Sequence, residues 1–392
     1  MDQLIAEKLQ TLHQTGLYRK RSQPQLATAD GLNFCSNDYL SLSTEFRLKQ
    51  AYQEGFARYP CGSGGSAVIC GYHSAHRALE QVIAARLAVD DAIVFSSGYA
   101  ANLAIITLLA SLNAHLLIDK DVHASIYDGV KLALAKYSRY PHLDLAYLKK
   151  KLSRFPGNPV LLTEGIFSMS GQIAPLDAII ALCRQYKAPC IIDEAHSFGL
   201  LGPHGLGLVK AGGFGQDDIP LRLIAFGKAL AGQGAVVAGK KAWIDALLQQ
   251  GRSYIYSTAL SPALAYGMRT AFELVIEADD RRLKLNELVR YFQQYCENSP
   301  LKWQRSNSPI QQLQLGCPDQ AKKLADYLMT QGIFCQAIRQ PTVTLQETGL
   351  RVALNYGHNE EDIEKLFRAL DGFKGIRNKD HGRNNVLYLS QS

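Results

Sequence analysis

The chain has 392 residues, more than one hydrophobic core usually serves, so a large domain with a smaller one is the expected plan. An apolar fraction of 47% with 20% charged residues excludes a disordered or collagen-like chain. The 42 Lys and Arg against 35 Asp and Glu give a formal charge of +7, spread along the chain; the basic run Arg19-Lys20-Arg21 is too short for a nucleic-acid footprint. An excess of this size reads as a solvated surface, or as attraction for an anionic small substrate such as a phosphate or a coenzyme A thioester.

In chain order, MDQLIAEKLQTLHQTGLYRK places Leu4, Ile5, Leu9 and Leu12 at helical spacing and predicts a charged amphipathic helix without a signal-peptide core. From about residue 78 to 275 short apolar runs alternate with helical ones. The runs are AIVF (92–95), HLLID (115–119), VLLTEG (160–165), CIIDEAH (190–196), LRLIAFGK (221–228) and AVVAG (235–239). Strand-length runs apolar on both faces, with helices such as LDAIIALCRQYKA (176–188) between them, predict an α/β domain: a mostly parallel central sheet covered on both sides. Leu103–Ala110 is the longest apolar stretch and too short to span a bilayer, so a soluble protein is expected.

Eight cysteines are scattered singly (Cys35, Cys61, Cys70, Cys183, Cys190, Cys296, Cys317 and Cys335). They have no Cys-x-x-Cys or zinc spacing, so no metal site is expected, and unpaired thiols fit a reducing cytoplasm. After residue 275 the pattern changes. FELVIEADDRRLKLNELVRYFQQYC predicts one long helix, IQQLQLG (310–316) and LRVALNYG (350–357) predict strands, and EEDIEKLFRALDGF (360–373) a further helix. The expected division is an N-terminal segment 1–45, a large domain 46–275, a smaller α+β domain 276–375, and a tail 376–392 without helical period.

Ligands of open α/β sheets bind outside the carboxyl ends of the strands. That rule selects Ser97-Gly98-Tyr99, Asp121 to Ser125, Glu164 to Ser168, Asp193 to His196, and Lys228. Lys228 sits in the apolar, glycine-rich AFGKALAGQGAVVAG. Read alone it is a surface charge; desolvated, it is a nucleophile able to condense with an aldehyde. Asp193 reads as a helix N-cap, or as the carboxylate that pairs with the pyridine nitrogen of pyridoxal 5'-phosphate (PLP) and keeps the ring an electron sink. SSGYAANLAIITLL supplies a turn followed by a helix expected to start near Ala100, with the Gly98 and Tyr99 N–H groups as candidates for the phosphate. His123 reads as a satisfied structural side chain or as a flat ring stacked on the pyridine. No Gly-x-Gly-x-x-Gly turn follows the first strand, which excludes a nucleotide-binding dehydrogenase.

With these segments in view, the chain resembles the α-oxoamine synthases, fold-type I PLP enzymes, from about residue 15 to residue 372, and among them the biotin-pathway branch. The resemblance rests on SNDYLSLS (36–43), GSGGSAVICGYHSAHRALE (62–80), SSGYAAN (96–102), TEGIFSMSGQIAPL (163–176), IDEAHSFGLLGPHGLG (192–207), AFGKALAGQGA (225–235), IYSTALSPA (255–263) and AIRQPTV (337–343). It implies a fold-type I PLP-dependent transferase in which Lys228 bonds the cofactor's aldehyde and acts as base. Asp193 then holds the pyridine nitrogen and His196 donates to the 3'-oxygen. His123 stacks on the ring, Gly98 and Tyr99 hold the phosphate, and Ser168 contacts the cofactor. Arg19, Asn37, Thr342 and Arg351 hold substrate or product, Arg351 through the amino-acid carboxylate. It also implies a cytoplasmic homodimer with a shared active site, Ser257 and Thr258 reaching the phosphate from the partner subunit.

The implied reaction is a decarboxylative Claisen condensation of L-alanine with a pimeloyl thioester of coenzyme A or acyl carrier protein, with neither nucleic acid nor membrane involved. The competing readings are another α-oxoamine synthase, such as 2-amino-3-ketobutyrate ligase or a long-chain aminoketone synthase, and a non-catalytic partner subunit, which would lack the lysine. Two departures from the family pattern stand out. Ala225 replaces a Thr or Ser expected to contact the phosphate, a loss of about 1 kcal/mol for one net hydrogen bond, and Ser41 replaces a glycine.

Overall fold

The apolar runs form the strands expected of them, and their side chains divide by parity. The structure, a computed structural model, describes residues 1–21, 31–155 and 157–373, so the expected tail lies outside the described residues. Helix α1 (Asp2–Gln14), strand β1 (Leu32–Asn33) and helices α2 (Phe46–Arg58) and α3 (Ser74–Leu87) precede the central sheet. Then come β2 (Asp91–Phe95), α4 (Gly98–Ser111), β3 (His115–Asp119), α5 (Ala124–Leu132) and β4 (Lys136–Tyr140). The series continues with α6 (Leu145–Ser153), β5 (Pro159–Glu164), α7 (Leu176–Gln185), β6 (Cys190–Asp193), the short α8 (Leu208–Ala211), β7 (Leu221–Ala225) and β8 (Ala235–Gly239).

These seven strands lie in the order β2-β8-β7-β6-β5-β3-β4. The pairs from β7 through β4 are parallel, and β8 runs antiparallel to both of its neighbours. The mostly parallel expectation holds with one strand reversed, because the loop 226–234 between β7 and β8 is too short for a crossover helix. Successive side chains of a strand point to opposite faces. Accordingly Ala92 and Val94 of β2 join one apolar cluster while Ile93 and Phe95 join another, and β8 divides Val236 and Ala238 from Ala235 and Val237 in the same way. Strand β4 has no counterpart among the predicted runs. Its KYSRY carries two cations and occupies the sheet edge, where charge guards against unwanted pairing.

The remaining elements are α9 (Lys241–Gln250), α10 (Arg252–Ile255), α11 (Pro262–Glu277), α12 (Asp279–Asn298), β9 (Trp303–Gln304), β10 (Ile310–Gln314), α13 (Pro318–Thr330), β11 (Ile333–Phe334), β12 (Gln336–Ile338), β13 (Gly349–Ala353) and α14 (Glu360–Gly372). The long helix predicted over 272–296 is two helices. Ala278 leaves the helical path at φ −86 and ψ 37. The buried Arg282 then folds back, donating to the Val275 carbonyl at 2.6 Å and the Ile276 carbonyl at 3.2 Å, and so satisfies the open end of α11. Asp279 and Asp280 sit in the first turn of α12, where the helix dipole favours anions. Amphipathic spacing survives such a break, which is why the pattern read as continuous.

Strands β12-β13-β10-β9 make a second, antiparallel sheet. Its Ile310, Leu313, Leu350 and Val352 belong to the same apolar cluster as Ala92 and Val94. Strand β1 pairs in parallel with β11, and the Ala353 N–H donates to the Phe34 carbonyl at 2.7 Å. That strap brings Asn37 and Tyr39 beside Arg351 of β13. All eight cysteines are free. Among the described residues no helix is long and apolar enough to cross a membrane.

Candidate active site

Strand β7 ends at Ala225 and the chain turns at once. Phe226 N–H donates to the Gly234 carbonyl and Gly232 N–H to the Phe226 carbonyl, each at 2.9 Å. Gly234 has φ +104, and a Cβ there would lie 2.9 Å from the Phe95 carbonyl oxygen, so the tight return requires glycine. The loop sets Lys228 with its Nζ 2.8 Å from His196 Nε2. Burial holds the Lys228 pKa below the ordinary lysine value against the opposing pull of Asp193 and Glu164, while Arg351 lowers it further. The uncharged amine is thereby favoured, and it is the nucleophilic form.

His196 lies in the turn after β6, and burial, reinforced by the charges of Lys228, Arg351 and His123, pushes its pKa well below the usual histidine value. Its Nδ1 is 2.7 Å from the hydroxyl of Tyr39, whose pKa burial raises to about 12. Asp193, the last residue of β6, accepts from Ala195 N–H at Oδ1 and from Asn102 Nδ2 at Oδ2, both at 2.9 Å. Asn102 also donates to Ser125 Oγ at 2.9 Å, so its amide holds one face of the carboxylate fixed.

Ser97 caps α4, its Oγ accepting from Ala100 N–H at 3.1 Å. The helix therefore begins at Gly98, two residues before the predicted start, and the Gly98 and Tyr99 N–H groups are first-turn donors without intrahelical partners. Together with the dipole they make an anion site. The Tyr99 hydroxyl points elsewhere, donating to Asp128 Oδ2 at 2.6 Å. His123 caps α5, Nδ1 accepting from Ser125 N–H at 3.2 Å, and its backbone N–H donates to Glu164 Oε1. Glu164 also accepts from Ser168 N–H at 3.2 Å; burial and then the Asp193 charge raise its pKa well above the usual carboxylate range.

One cavity of about 310 Å³ gathers these groups: Gly98, Tyr99, Asn102, His123, Glu164, Ser168, Asp193, His196, Ala225 and Lys228 all line it. Five strand ends thus converge, and each cofactor residue expected from this subunit is present. A second cavity of about 190 Å³ is lined by Arg19, Cys35, Arg339, Thr342 and Arg351 among others. Arg351 connects the two, donating from Nε to the Ser168 carbonyl at 2.7 Å and from Nη2 to Asn37 Oδ1 at 2.9 Å. Ser257 and Thr258 line neither cavity; Thr258 is exposed and bridges to Ser66. Asn102 and Tyr39 lie inside quoted motifs but had no separate signal, because their partners are 91 and 157 residues away.

An amine beside a buried carboxylate and a helix N-terminus is a donor set fitted to an aromatic aldehyde that carries a ring nitrogen and a phosphate, and PLP has this combination. Residues 29–370 match the family model for aminotransferase class I and II. The chain is 38% identical over 392 residues to 8-amino-7-oxononanoate synthase from Marinobacter nauticus, which covers 98% of this chain and 99% of the relative. The solved structure of 8-amino-7-oxononanoate synthase from Francisella tularensis matches with a TM-score of 0.78 at 32% identity, covering 88% of this chain and 98% of that one. Serine palmitoyltransferase from Sphingomonas wittichii matches with a TM-score of 0.85 at 26% identity, covering 95% and 96%.

Proposed function

Because the chain belongs to the class I and II aminotransferases, and within them to the 8-amino-7-oxononanoate synthases, PLP-dependent acyltransferases of biotin synthesis with the type I fold, we propose that it condenses L-alanine with a pimeloyl thioester. The thioester is of coenzyme A or acyl carrier protein. The products are 8-amino-7-oxononanoate, CO₂ and the free thiol, formed in the cytoplasm by a homodimer.

The observation that carries this reading is the buried Lys228, its pKa held below the ordinary lysine value, in one cavity with Asp193 and the α4 N-terminus, joined through Arg351 to a cavity lined by arginines. When bound, PLP supplies an electron sink for negative charge at the α-carbon of the amino acid. The protein does the rest. Asp193, oriented by Asn102, pairs with the pyridine nitrogen, His196 donates at the 3'-oxygen, and His123 covers the ring. Ser168 contacts the cofactor, Gly98 and Tyr99 hold the phosphate, and Ser257 and Thr258 reach it from the partner subunit. Arg351 and Asn37 orient the carboxylate of the amino acid, and Arg19 and Thr342 hold the acyl chain or product. Lys228 removes the α-proton; the α-carbon attacks the thioester carbonyl, the thiolate leaves and takes a proton from solvent, CO₂ departs, and Lys228 returns its proton to the α-carbon. The cofactor residues fall in the proposed 46–275 domain, and Thr342 and Arg351 in 276–375.

The likeness to serine palmitoyltransferase favours a second reading, a long-chain aminoketone synthase. Thiol release separates the two. L-Alanine, glycine and L-serine are each tried with pimeloyl-, acetyl-, succinyl- and palmitoyl-CoA. L-Alanine with pimeloyl-CoA should turn over fastest; a preference for glycine with acetyl-CoA or serine with palmitoyl-CoA rejects the biotin reading.

A further inference from the structure

Tyr39 is fully buried, and its hydroxyl carries one proton among three polar neighbours. His196 Nδ1 lies at 2.7 Å, Asn37 Oδ1 at 3.2 Å and Arg351 Nη2 at 3.5 Å. The guanidinium only donates, so it leaves the tyrosine proton free for another acceptor. Asn37 Oδ1 already receives Arg351 Nη2 at 2.9 Å. The closest acceptor is therefore His196 Nδ1, at a separation typical of a hydroxyl donor. The groups facing His196 are Tyr39, Lys228, Arg351 and His123, and with burial the last three disfavour its imidazolium. A neutral imidazole has one N–H, and if Nδ1 accepts from Tyr39 the proton is on Nε2.

We propose that Tyr39 is a positioning residue that holds His196 in the Nε2–H tautomer, so that His196 donates into the cofactor cavity instead of accepting from it. Lys228 Nζ, 2.8 Å away, is then the acceptor in the free protein whenever its amine is uncharged, and the cofactor's 3'-oxygen is the acceptor when PLP is bound. The inference rests on the reading of this cavity as the PLP site.

Two measurements test it. Side-chain ¹⁵N–¹H spectra of the histidine-labelled, cofactor-free chain should show His196 protonated at Nε2 in the native protein and lose that preference in Tyr39→Phe. A native His196 protonated at Nδ1 overturns the proposal, whether or not the variant folds. In the PLP-loaded enzyme, a donor at the 3'-oxygen favours the form in which the Lys228 nitrogen has lost its proton. The pH midpoint of the visible absorbance should therefore rise by about one unit in Tyr39→Phe, the size of one lost hydrogen bond to a charged group. PLP uptake with an unchanged midpoint and tautomer overturns the proposal alone, whereas native protein that takes up no PLP overturns the reading of the cavity.

Discussion

At Lys228 desolvation outweighs two nearby carboxyl groups, and its consequence is measurable. A depressed pKa means that the amine is already uncharged at a pH where a free lysine remains ammonium, and only the uncharged amine attacks an aldehyde. The rate of PLP capture by cofactor-free protein, followed by stopped-flow absorbance, should rise with pH through a midpoint below the free-lysine value of about 10.4. A midpoint at or above that value would show the amine to be solvated, and Lys228→Ala should give colourless protein after PLP incubation. Ala225 is the other informative residue. It lines the same cavity, and a Cβ placed on Gly98 would stand 3.6 Å from its own Cβ. A hydroxyl at 225 therefore points at the α4 N-terminus, where the phosphate is proposed to sit. Ala225→Thr should tighten PLP binding about fivefold, the worth of about one net hydrogen bond; equal affinity by fluorescence titration would move the phosphate elsewhere.

Between elements, close approach depends on small residues. A Cβ on Gly55 of α2 would lie 2.4 Å from the Ala263 carbonyl oxygen of α11, and one on Gly267 of α11 would lie 2.2 Å from the Tyr52 ring. Gly55→Ala should gain about 1 kcal/mol of helix propensity, yet the obstacle is backbone, so the two helices must separate at a cost of about 1–3 kcal/mol or more. We expect the melting temperature to fall by a few degrees; a rise would show that α2 and α11 have slack. The same dependence on tertiary context explains which parts of the protein were legible in its sequence. Strand ends were legible because buried parallel strands are apolar throughout, so the first polar residue after each run, such as Asp193, marks the rim. The reversal of β8 was not, since AVVAG reads alike in either direction of pairing. The charged edge strand β4 and the break at Ala278 were missed because exposure and a folded-back Arg282 decide them, and neither leaves a periodic trace. Asn102 and Tyr39 reach Asp193 and His196 from positions distant in the chain.

At the scale of the whole molecule, the role proposed for Ser257 and Thr258 needs a second subunit, because neither residue lines the cavity of Lys228 or that of Arg19 in its own chain. The loop carrying them is strapped outward: Ala259 N–H donates to the Gly65 carbonyl at 3.0 Å, Ser63 Oγ to the Ala259 carbonyl at 2.9 Å, and His76 Nε2 lies 2.7 Å from the Leu260 carbonyl. Beside it Ile69 is 81% and Tyr256 72% exposed, the kind of apolar surface that an obligate interface covers. In the proposed homodimer this loop would serve the phosphate site of the partner subunit across a two-fold axis. Complementation tests this directly. Lys228→Ala removes the amine from one subunit, and Thr258→Glu places a carboxylate where the partner's phosphate is proposed to bind, so each variant alone should be inactive. After subunit exchange, a mixed dimer holds one doubly damaged site and one site with both native residues. Half of the dimers being mixed, activity should return to about a quarter of the native level at equal mixing. Mixtures that stay inactive although native mass spectrometry shows mixed dimers would mean that each subunit builds its phosphate site alone.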